Sequence, residues 1–380
     1  MSRPVAIRAH AISCSLGQDT STVAAQVFAG ARGLSVPTAV PFTTMVGAVH
    51  DLPRAPELDP RYETRLTRLA ACALRQIQPS LQRYDRARVA LVLGSSTGGM
   101  HETELAYPAL VAESPTPDYD HDHQHPLGAA SFALAQWLGL GGPSFTVSTA
   151  CSSSAKALGS ARRLLHADLA DAVIVCGVDT LCRLTLFGFH ALGVLSASPT
   201  RPFSRARDGI SLGEGAACVL LDRGDSALQL LGVGESSDAH HLSSPDPDGH
   251  GVRAAMQAAL DDAGVHPDAI GHVNAHGTGT LQNDAVESKA LFDLFQRAVP
   301  ITSNKASFGH LLGASGLCEA VIALESLQSA RIPPTLDFDG GDDTLRVDVV
   351  RETRAHPGGA VLSNSFGFGG SNVSIVVGAA

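Results

Sequence analysis

The chain has 380 residues, of which 44% are hydrophobic and 17% charged, an ordinary composition for a globular protein. A formal net charge of −10 argues against nucleic-acid binding, which needs a basic surface, although it leaves local basic patches open. Seven cysteines without a CxxC pair favour reduced thiols over a disulfide framework. Because the sequence shows no signal-peptide pattern and no apolar run of 18 residues, it predicts a cytoplasmic protein without a membrane span.

The elements of the first half predict an α/β layered fold. Apolar runs that are almost continuous are typical of strands in a sheet buried on both faces, and this half has three, at 89–93, 172–176 and 216–221. A first strand is predicted at 5–7, and helices at 20–28, capped by Asp19 or Thr20, and at 64–81. The polar, turn-forming residues 222–226 predict a join between an N-terminal half, 1–225, and a C-terminal half, 226–380.

The second half repeats the alternation of strands and helices. Strands are predicted at 228–233, 270–273, 360–365 and 372–377, and helices at 252–263, ended by Gly264, and along an apolar stretch that reaches Leu327. A further helix is expected to open at Asp284, as N-cap with Glu287 as its capping-box partner, and to run through Phe295.

Cys151 is the strongest candidate for a reactive residue. Phe145, Val147 and Thr149 alternate with smaller residues as in a short buried strand, and a helical pattern begins at Ser152. This places Cys151 at a strand-to-helix turn, where unpaired N–H groups and the helix dipole favour the thiolate. The competing interpretation is an inert buried thiol, as for the other six cysteines.

Two loops invite binding hypotheses of low specificity. The glycine-rich segment 94–100 follows a strand, but it lacks both the P-loop lysine and the GxGxxG spacing, so close approach of a ligand or of another backbone explains its glycines equally well. Residues 118–126 alternate aspartates with histidines, which suits a transition metal. Their irregular spacing favours a surface loop with helix-capping residues, and no metal site is predicted.

Four motifs in order resemble those of the β-ketoacyl-acyl-carrier-protein synthases. They are TACSSSA (149–155), NAHGTGT (274–280), NKASFGHLLGASG (304–316) and NSFGFGGSN (364–372). The resemblance covers the whole chain and implies a thiolase fold, in which two similar halves stack as five layers, α-β-α-β-α, normally as a dimer. It also implies that no cofactor is bound and that an acyl carrier protein supplies the phosphopantetheine arm.

The resemblance implies a role for each motif. Cys151 would hold the acyl group as a thioester, with its own N–H and that of Phe368 as oxyanion hole. His276 and His310, as neutral imidazoles, would stabilise the enolate formed when a malonyl thioester loses carbon dioxide. Lys305 would tune His276 electrostatically. The supporting roles fall to Glu319 near the site, Thr278 and Thr280 on the pantetheine arm, Phe366 in substrate binding, Thr97 in the acyl pocket and Phe368 as a gate.

Details of the sequence point to a subtype and to partners. Segments such as DAVIVCGVDTLCRLTL (171–186) and the short length look most like the synthases of bacterial aryl-polyene pathways, whose partner can be a chain-length-factor subunit instead of an identical chain. Because carrier proteins are acidic, a local basic patch is expected to dock them. The candidates are Arg65, Arg68, Arg205 and Arg207.

Three other interpretations compete with the condensing enzyme. A cysteine-dependent thioester hydrolase or acyltransferase needs Cys and His with an orienting Asn or Asp, and it leaves the second histidine and Lys305 unexplained. A zinc protein that uses Cys151, His276 and His310 lacks the close ligand spacing of structural sites. A non-catalytic chain-length factor would share the fold but would lack the cysteine nucleophile, which is present here.

Overall fold

The computed structural model describes residues 4–38, 40–116, 118–296, 299–341 and 344–379. The chain termini, residues 1 and 380, which bound the two predicted halves, lie outside this range. The strands in chain order are β1 (Val5–Cys14), β2 (Val46–Gly47), β3 (Val89–Gly94), β4 (Ser144–Val147), β5 (Ala172–Asp179), β6 (Leu212–Gly213), β7 (Gly215–Asp222), β8 (Leu228–Ser237), β9 (Ile270–Asn274), β10 (Pro300–Thr302), β11 (Arg331–Ile332), β12 (Asp348–Val349), β13 (Arg354–Ala355), β14 (Ala360–Gly367) and β15 (Ser371–Ala379).

The α-helices alternate with these strands along most of the chain. They are α1 (Thr20–Phe28), α2 (Arg65–Ile77), α3 (Met100–Val111), α4 (His121–Gln124), α5 (Leu127–Leu138), α6 (Ser153–His166), α7 (Arg183–Ala191), α8 (His250–Ala263), α9 (Leu281–Phe295), α10 (Lys305–Phe308) and α11 (Ser315–Ser329). Short 3-10 turns occur at Pro60–Tyr62, Gln78–Arg83, Arg86–Arg88, Pro267–Ala269 and Leu312–Ala314. Among the described residues, no helix combines the length and the apolar character needed to cross a membrane.

The strand order reveals an internal duplication. The N-terminal half orders its strands β1-β7-β5-β3-β4, and the C-terminal half orders its strands β8-β15-β14-β9-β10, with β12 beyond. The first two pairs of each half are antiparallel: β1 with β7 and β7 with β5 in one, β8 with β15 and β15 with β14 in the other. The remaining pairs are parallel. A short antiparallel contact between β1 and β8 joins the two sheets. The chain therefore has the thiolase fold with two pseudo-repeated halves.

Alternate residues of each strand point to different layers. In β3, Leu91 and Leu93 pack on the outer helices α2 and α5, whereas Ala90 and Val92 face the central core with α6 and α11. On the other side of that central layer lies the C-terminal sheet, which α8 and α9 cover from outside. The order is helix, sheet, helix, sheet, helix, as the resemblance implied. Strands buried on both faces explain the nearly continuous apolar runs in the sequence.

Most sequence-predicted elements are confirmed, with shifted ends. Asp19 caps α1 through a hydrogen bond from Thr22 N, and Gly264, with φ of 68°, ends α8. Within 118–126, Asp120 accepts from the backbone of α4, which confirms helix capping for this loop. The first strand is longer than predicted, because it continues to Cys14 beside β7.

Two local predictions are wrong. The strand before Cys151 is not buried. β4 is the edge strand of the sheet and pairs on one side only, with β3, so Phe145 is 37% exposed. The helix predicted to open at Asp284 begins one turn earlier, at Leu281, and Thr280 is its N-cap through a hydrogen bond from Asn283 N. Asp284 and Glu287 point inward from the helix and bind neighbouring loops instead.

Candidate active site

The nucleophile candidate lies at a tight turn between sheet and helix. Ala150 has a positive φ of 52°, a backbone conformation that costs an alanine about 1 kcal/mol, and α6 begins two residues after Cys151 with Ser152 as N-cap. Gly94 at the end of β3 permits this approach, since a Cβ atom there would lie 2.4 Å from Cα of Ser154. The glycine-rich segment 94–100 therefore serves close backbone packing against α6 at its first residue.

Burial governs the Cys151 thiol. The residue is 6% exposed, and burial raises the pKa of its thiol to about 11. The charge of Lys305 and a hydrogen bond from the backbone N–H of Phe368 act in the opposite direction without overcoming burial. The prediction that the helix N-terminus favours a thiolate at Cys151 is therefore wrong for this site, which holds a neutral thiol at pH 7.

The two candidate histidines meet next to Cys151. His276 lies in the loop between β9 and α9, and His310 follows α10. Both loops belong to the C-terminal half and come after the neighbouring parallel strands β9 and β10, so they lie at the same end of the sheet. Their ring centroids are 5.4 Å apart with the planes at 87°. Both side chains line a pocket together with Cys151.

Hydrogen bonds fix the tautomer of His310. The backbone N–H of Leu312 donates to its Nδ1 at 3.0 Å, and because an amide can only donate, Nδ1 carries no proton. The Ser315 hydroxyl lies 2.8 Å from the same nitrogen. The proton of the neutral ring is therefore on Nε2, which becomes a hydrogen-bond donor.

Both imidazoles are neutral at physiological pH. Burial lowers the pKa of His276 well below its usual value, and the charge of Lys305 lowers it further, as would a proton on the neighbouring His310. Burial also lowers the pKa of His310, again with Lys305 contributing. Neutral imidazoles can donate a hydrogen bond to a developing oxyanion without first losing a proton.

Lys305 lies beneath the histidines in a buried ion pair. Its Nζ donates to Oε1 of Glu319 at 2.5 Å, and both side chains are at most 1% exposed. Burial raises the pKa of Glu319 to about 7, although the charge and the hydrogen bond of Lys305 lower it. Glu319 reaches this position from α11, whose backbone carbonyl at the same residue accepts from Asn274 Nδ2 at 2.9 Å.

Glu287 is a site residue that the sequence analysis assigned to a helix cap. Its two carboxylate oxygens accept from the backbone N–H groups of His276 and Gly277, each at 2.8 Å, and Asn364 Nδ2 adds a bond at 3.0 Å. The carboxylate thus holds the His276 loop from α9. Two buried acids spaced three apart, directly after the NAHGTGT motif, were the available signal.

Phe368 separates two cavities that share Cys151. One is the pocket with the histidines, and the other is lined by Thr97, Met100 and Leu312. The Phe368 ring stacks on Phe189 with centroids 5.4 Å apart, and both rings line both cavities. A side chain in this place can open or close the passage between them.

The remaining substrate-contact candidates are divided between the two cavities. Thr278 and Thr280 line the histidine pocket with their hydroxyl oxygens 2.9 Å apart, and Phe366 lies there with its ring 5.6 Å from that of His276. Thr97 lines the second cavity instead. The structure thus places three of the four in the histidine pocket and one in the second cavity, and both cavities adjoin Cys151.

The four arginines proposed for docking have structural contacts that the sequence did not indicate. Arg65 forms an ion pair with the buried Glu214, and Arg68 donates to the carbonyl of Pro53. Arg205 donates from its backbone to Asp339 and from its side chain to a loop carbonyl, while Arg207 is buried. A docking role for them stays a prediction.

The metal hypotheses gain no geometric basis around Cys151. Over the described part of the chain, one group of acids and histidines has ligand atoms within 4.8 Å of one another, and it consists of Asp246, Asp248 and His250. In that group Asp246 accepts from the backbone N–H groups of Asp248 and His250 at the start of α8. These contacts stabilise the turn that precedes α8.

Comparison with known proteins gives one consistent family. Residues 2–227 match the family described as beta-ketoacyl synthase, N-terminal domain, and residues 228–339 match its C-terminal domain. The 3-oxoacyl-[acyl-carrier-protein] synthase 2 of Vibrio cholerae is 35% identical over 77% of this chain and 76% of its own. The enzyme of that name from Staphylococcus aureus is 30% identical over 95% of this chain and 97% of its own.

A solved structure is similar over the whole chain. It is described as a ketosynthase (ApeO) in complex with its chain length factor (ApeC) from Xenorhabdus doucetiae, and the matching chain is 37% identical. The match covers 100% of this chain and 98% of the other, with a TM-score of 0.94.

Proposed function

Since the chain belongs to the β-ketoacyl synthase family, we propose that Cys151, His276 and His310 perform the decarboxylative condensation of a malonyl thioester with an acyl group. The observation that carries this assignment is the meeting of one thiol and two neutral imidazoles in a single buried pocket. A hydrolase needs one general base. Two neutral histidines beside the thiol are instead suited to donating hydrogen bonds to an enolate oxygen.

The first half-reaction transfers the acyl group to Cys151. The sulfur attacks the carbonyl carbon of an acyl thioester on a carrier protein, the bond from that carbon to the pantetheine sulfur breaks, and the thiol proton ends on the departing sulfur. The N–H groups of Cys151 and Phe368 point at the reacting centre and stabilise the intermediate oxyanion. No cofactor of the protein takes part, because the pantetheine arm arrives with the carrier.

The second half-reaction forms the carbon–carbon bond. A malonyl thioester loses carbon dioxide, and the enolate oxygen accepts hydrogen bonds from His276 and from Nε2–H of His310. The α-carbon attacks the acyl carbonyl, the bond to the sulfur of Cys151 breaks, and the thiolate takes up a proton from solvent. Lys305 and burial keep both imidazoles neutral through this step. Thr278 and Thr280 bind the pantetheine arm on its way to this centre.

Intact-mass measurement of acylation and its discharge tests the assignment. Wild-type protein, Cys151→Ala and the matched control Cys182→Ala would be incubated with acyl-carrier thioesters and then with malonyl carrier. We expect an adduct on wild type and on Cys182→Ala that is discharged as a β-ketoacyl product. Discharge by water without malonyl carrier would favour the hydrolase, and an adduct on Cys151→Ala would exclude Cys151 as the nucleophile.

We propose that the second subunit is a chain-length-factor-like protein. The supporting observations are the similarity to a ketosynthase from such a complex and an apolar face on this chain. That face comprises the open edge of β4 and the exposed side chains of α3 and α5, with Leu105 67% and Phe132 54% exposed. The second cavity is lined by Met100 of α3 and by Leu184 and Thr185 of α7, so a partner that covers α3 would lie beside it.

Co-expression with a candidate partner tests this assembly. Native mass spectrometry should show a heterodimer for wild type and for Leu169→Glu, a control at an exposed apolar residue that is not part of the face. It should show mostly separate chains for Phe132→Glu. A homodimer that persists in the presence of the partner would contradict the proposal.

We further propose aryl or polyene acyl groups as substrates and the cytoplasm as the site of reaction. The sequence segments named above support the substrate, and seven free cysteines support a reducing compartment. Acylation rates with aryl-polyene and saturated carrier thioesters of equal length provide the test. Equal rates would contradict the substrate assignment.

A further inference from the structure

A buried carboxylate outside the described machinery connects the second cavity to the His310 loop. Asp179 ends β5, is fully buried, and among the described residues has no cation paired with it. Such a charge is costly in the protein interior unless donors satisfy it. Asp179 has six donors, three backbone N–H groups and three hydroxyls, from Ser95, Ser96, Thr97 and Gly313.

The two oxygens serve different segments. Oδ1 accepts from the Ser95 hydroxyl at 2.7 Å and from both the N–H and the hydroxyl of Thr97 at 2.8 Å. Oδ2 accepts from the Ser96 hydroxyl and from the Gly313 N–H, both at 2.6 Å. Ser96 N–H lies between the two oxygens, at 2.9 and 3.0 Å.

Both segments contact the substrate space. Ser96 and Thr97 form a wall of the second cavity, and Leu312, which precedes Gly313, lines the same cavity. The N–H of Leu312 is also the donor that fixes the His310 tautomer. Little room is left between these parts, because a Cβ atom on Gly313 would lie 2.7 Å from Oδ2.

We infer that Asp179 is a positioning residue that holds the wall of the acyl cavity and the His310 loop in one fixed arrangement. The inference rests on the proposed function, since it assigns the second cavity to the acyl chain and His310 to the enolate. Because Asp179 binds both segments, an acyl chain that displaces Thr97 also displaces Leu312 and therefore His310. Asp179 thereby limits condensation to acyl groups that leave the wall in place.

Substitution by asparagine separates the two segments. The amide oxygen is expected to face the larger group of donors around Thr97, which leaves the NH2 group facing the Gly313 N–H. The Ser96 hydroxyl can rotate to accept, but the Gly313 amide cannot, so the loop of Leu312 and Gly313 is the part released. The cavity wall stays, whereas the support of His310 is lost.

The test measures the two half-reactions separately in Asp179→Asn. Acyl transfer to Cys151 should fall no more than about threefold for a short chain, since loss of the Asp179 charge lowers the pKa of the thiol. Carbon dioxide release from malonyl carrier on the acylated protein should fall about tenfold or more. Asp222→Asn is the matched control, because Asp222 ends the neighbouring strand β7 and is also a buried acceptor of several donors.

The control should lose thermal stability without changing the ratio of the two rates. A purely structural Asp179 would behave like it, so equal changes in both half-reactions for Asp179→Asn would overturn the inference. If Asp179→Asn does not fold, Ser96→Ala removes the hydroxyl donor at 2.6 Å to Oδ2, the oxygen that also binds the Gly313 N–H. This variant should lower decarboxylation more than acylation, but by a smaller factor than the asparagine does. Equal changes in that variant would also overturn it. Failure of the proposed function is distinguishable, because wild-type protein itself would then form no adduct or would discharge it without malonyl carrier.

Discussion

The contact between β3 and α6 predicts that Gly94→Ala displaces the nucleophile. A Cβ atom on Gly94 would lie 2.4 Å from Cα of Ser154 and 2.6 Å from its backbone nitrogen. Ordinary carbon–carbon contacts are near 3.5 Å, so the added atom requires a shift of about 1 Å. Since both neighbours are backbone atoms of the helix that begins beside Cys151, the shift moves the sulfur with them.

The magnitudes follow from that displacement. A misplacement of about 1 Å in a reacting group typically lowers the rate about 100-fold, and overpacking of a tight contact costs about 1–3 kcal/mol of the free energy of unfolding. The assay is the rate at which an acyl-carrier thioester acylates Cys151, followed by intact mass, beside denaturant unfolding of the same protein.

Gly188→Ala is the matched control. Gly188 lies in α7, and a Cβ atom there would meet no heavy atom within 4 Å, so alanine should stabilise the helix by about 0.5–1 kcal/mol. The reasoning is refuted if Gly94→Ala acylates within threefold of the wild-type rate while folding normally. In that case the close approach of strand and helix would not set the position of the thiol.

Three further predictions concern the charges and the gate. Because the folded pKa of His310 lies well below the unfolded value near 6.5, only the unfolded chain gains this proton as pH falls. Between pH 7.5 and 5.5, wild type should therefore lose about 1.4 kcal/mol of unfolding free energy relative to His310→Asn. Urea titration at both pH values measures this difference, and equal losses in the two proteins would contradict the prediction. Glu319→Gln leaves Lys305 buried without its partner and should lower the free energy of unfolding by about 3–5 kcal/mol. Asp348→Asn, in the half-exposed pair with Arg354, should lower it by less than about 1 kcal/mol. Similar losses for both variants in thermal unfolding would show that burial of the pair is unimportant. Phe368→Ala keeps the backbone N–H but joins the two cavities. Acylation should therefore persist, while water discharges the acyl adduct several-fold faster than in wild type. An unchanged adduct lifetime by mass measurement would exclude Phe368 as the gate.

The sequence by itself determined the candidate residues and the layered fold. Apolar runs identified the buried strands, and motif order placed Cys151, His276, His310 and Lys305 together before any geometry was known. These features are local, because apolar runs, helix caps and motif spacing are properties of neighbouring residues along the chain. The internal duplication was not visible in the same way, since the two halves share strand order instead of sequence.

Tertiary structure decided the electrostatics and the assignment of the buried acids. The helix N-terminus favours a thiolate at Cys151, yet burial by distant segments raises the pKa of its thiol to about 11. Glu287 fits a capping box by spacing, but a helix that begins one turn earlier directs it to the His276 loop. The exposure of β4 likewise depends on its place at the sheet edge. Each outcome is set by residues far apart in the chain, because desolvation and the partner of a buried carboxylate depend on what folds over it.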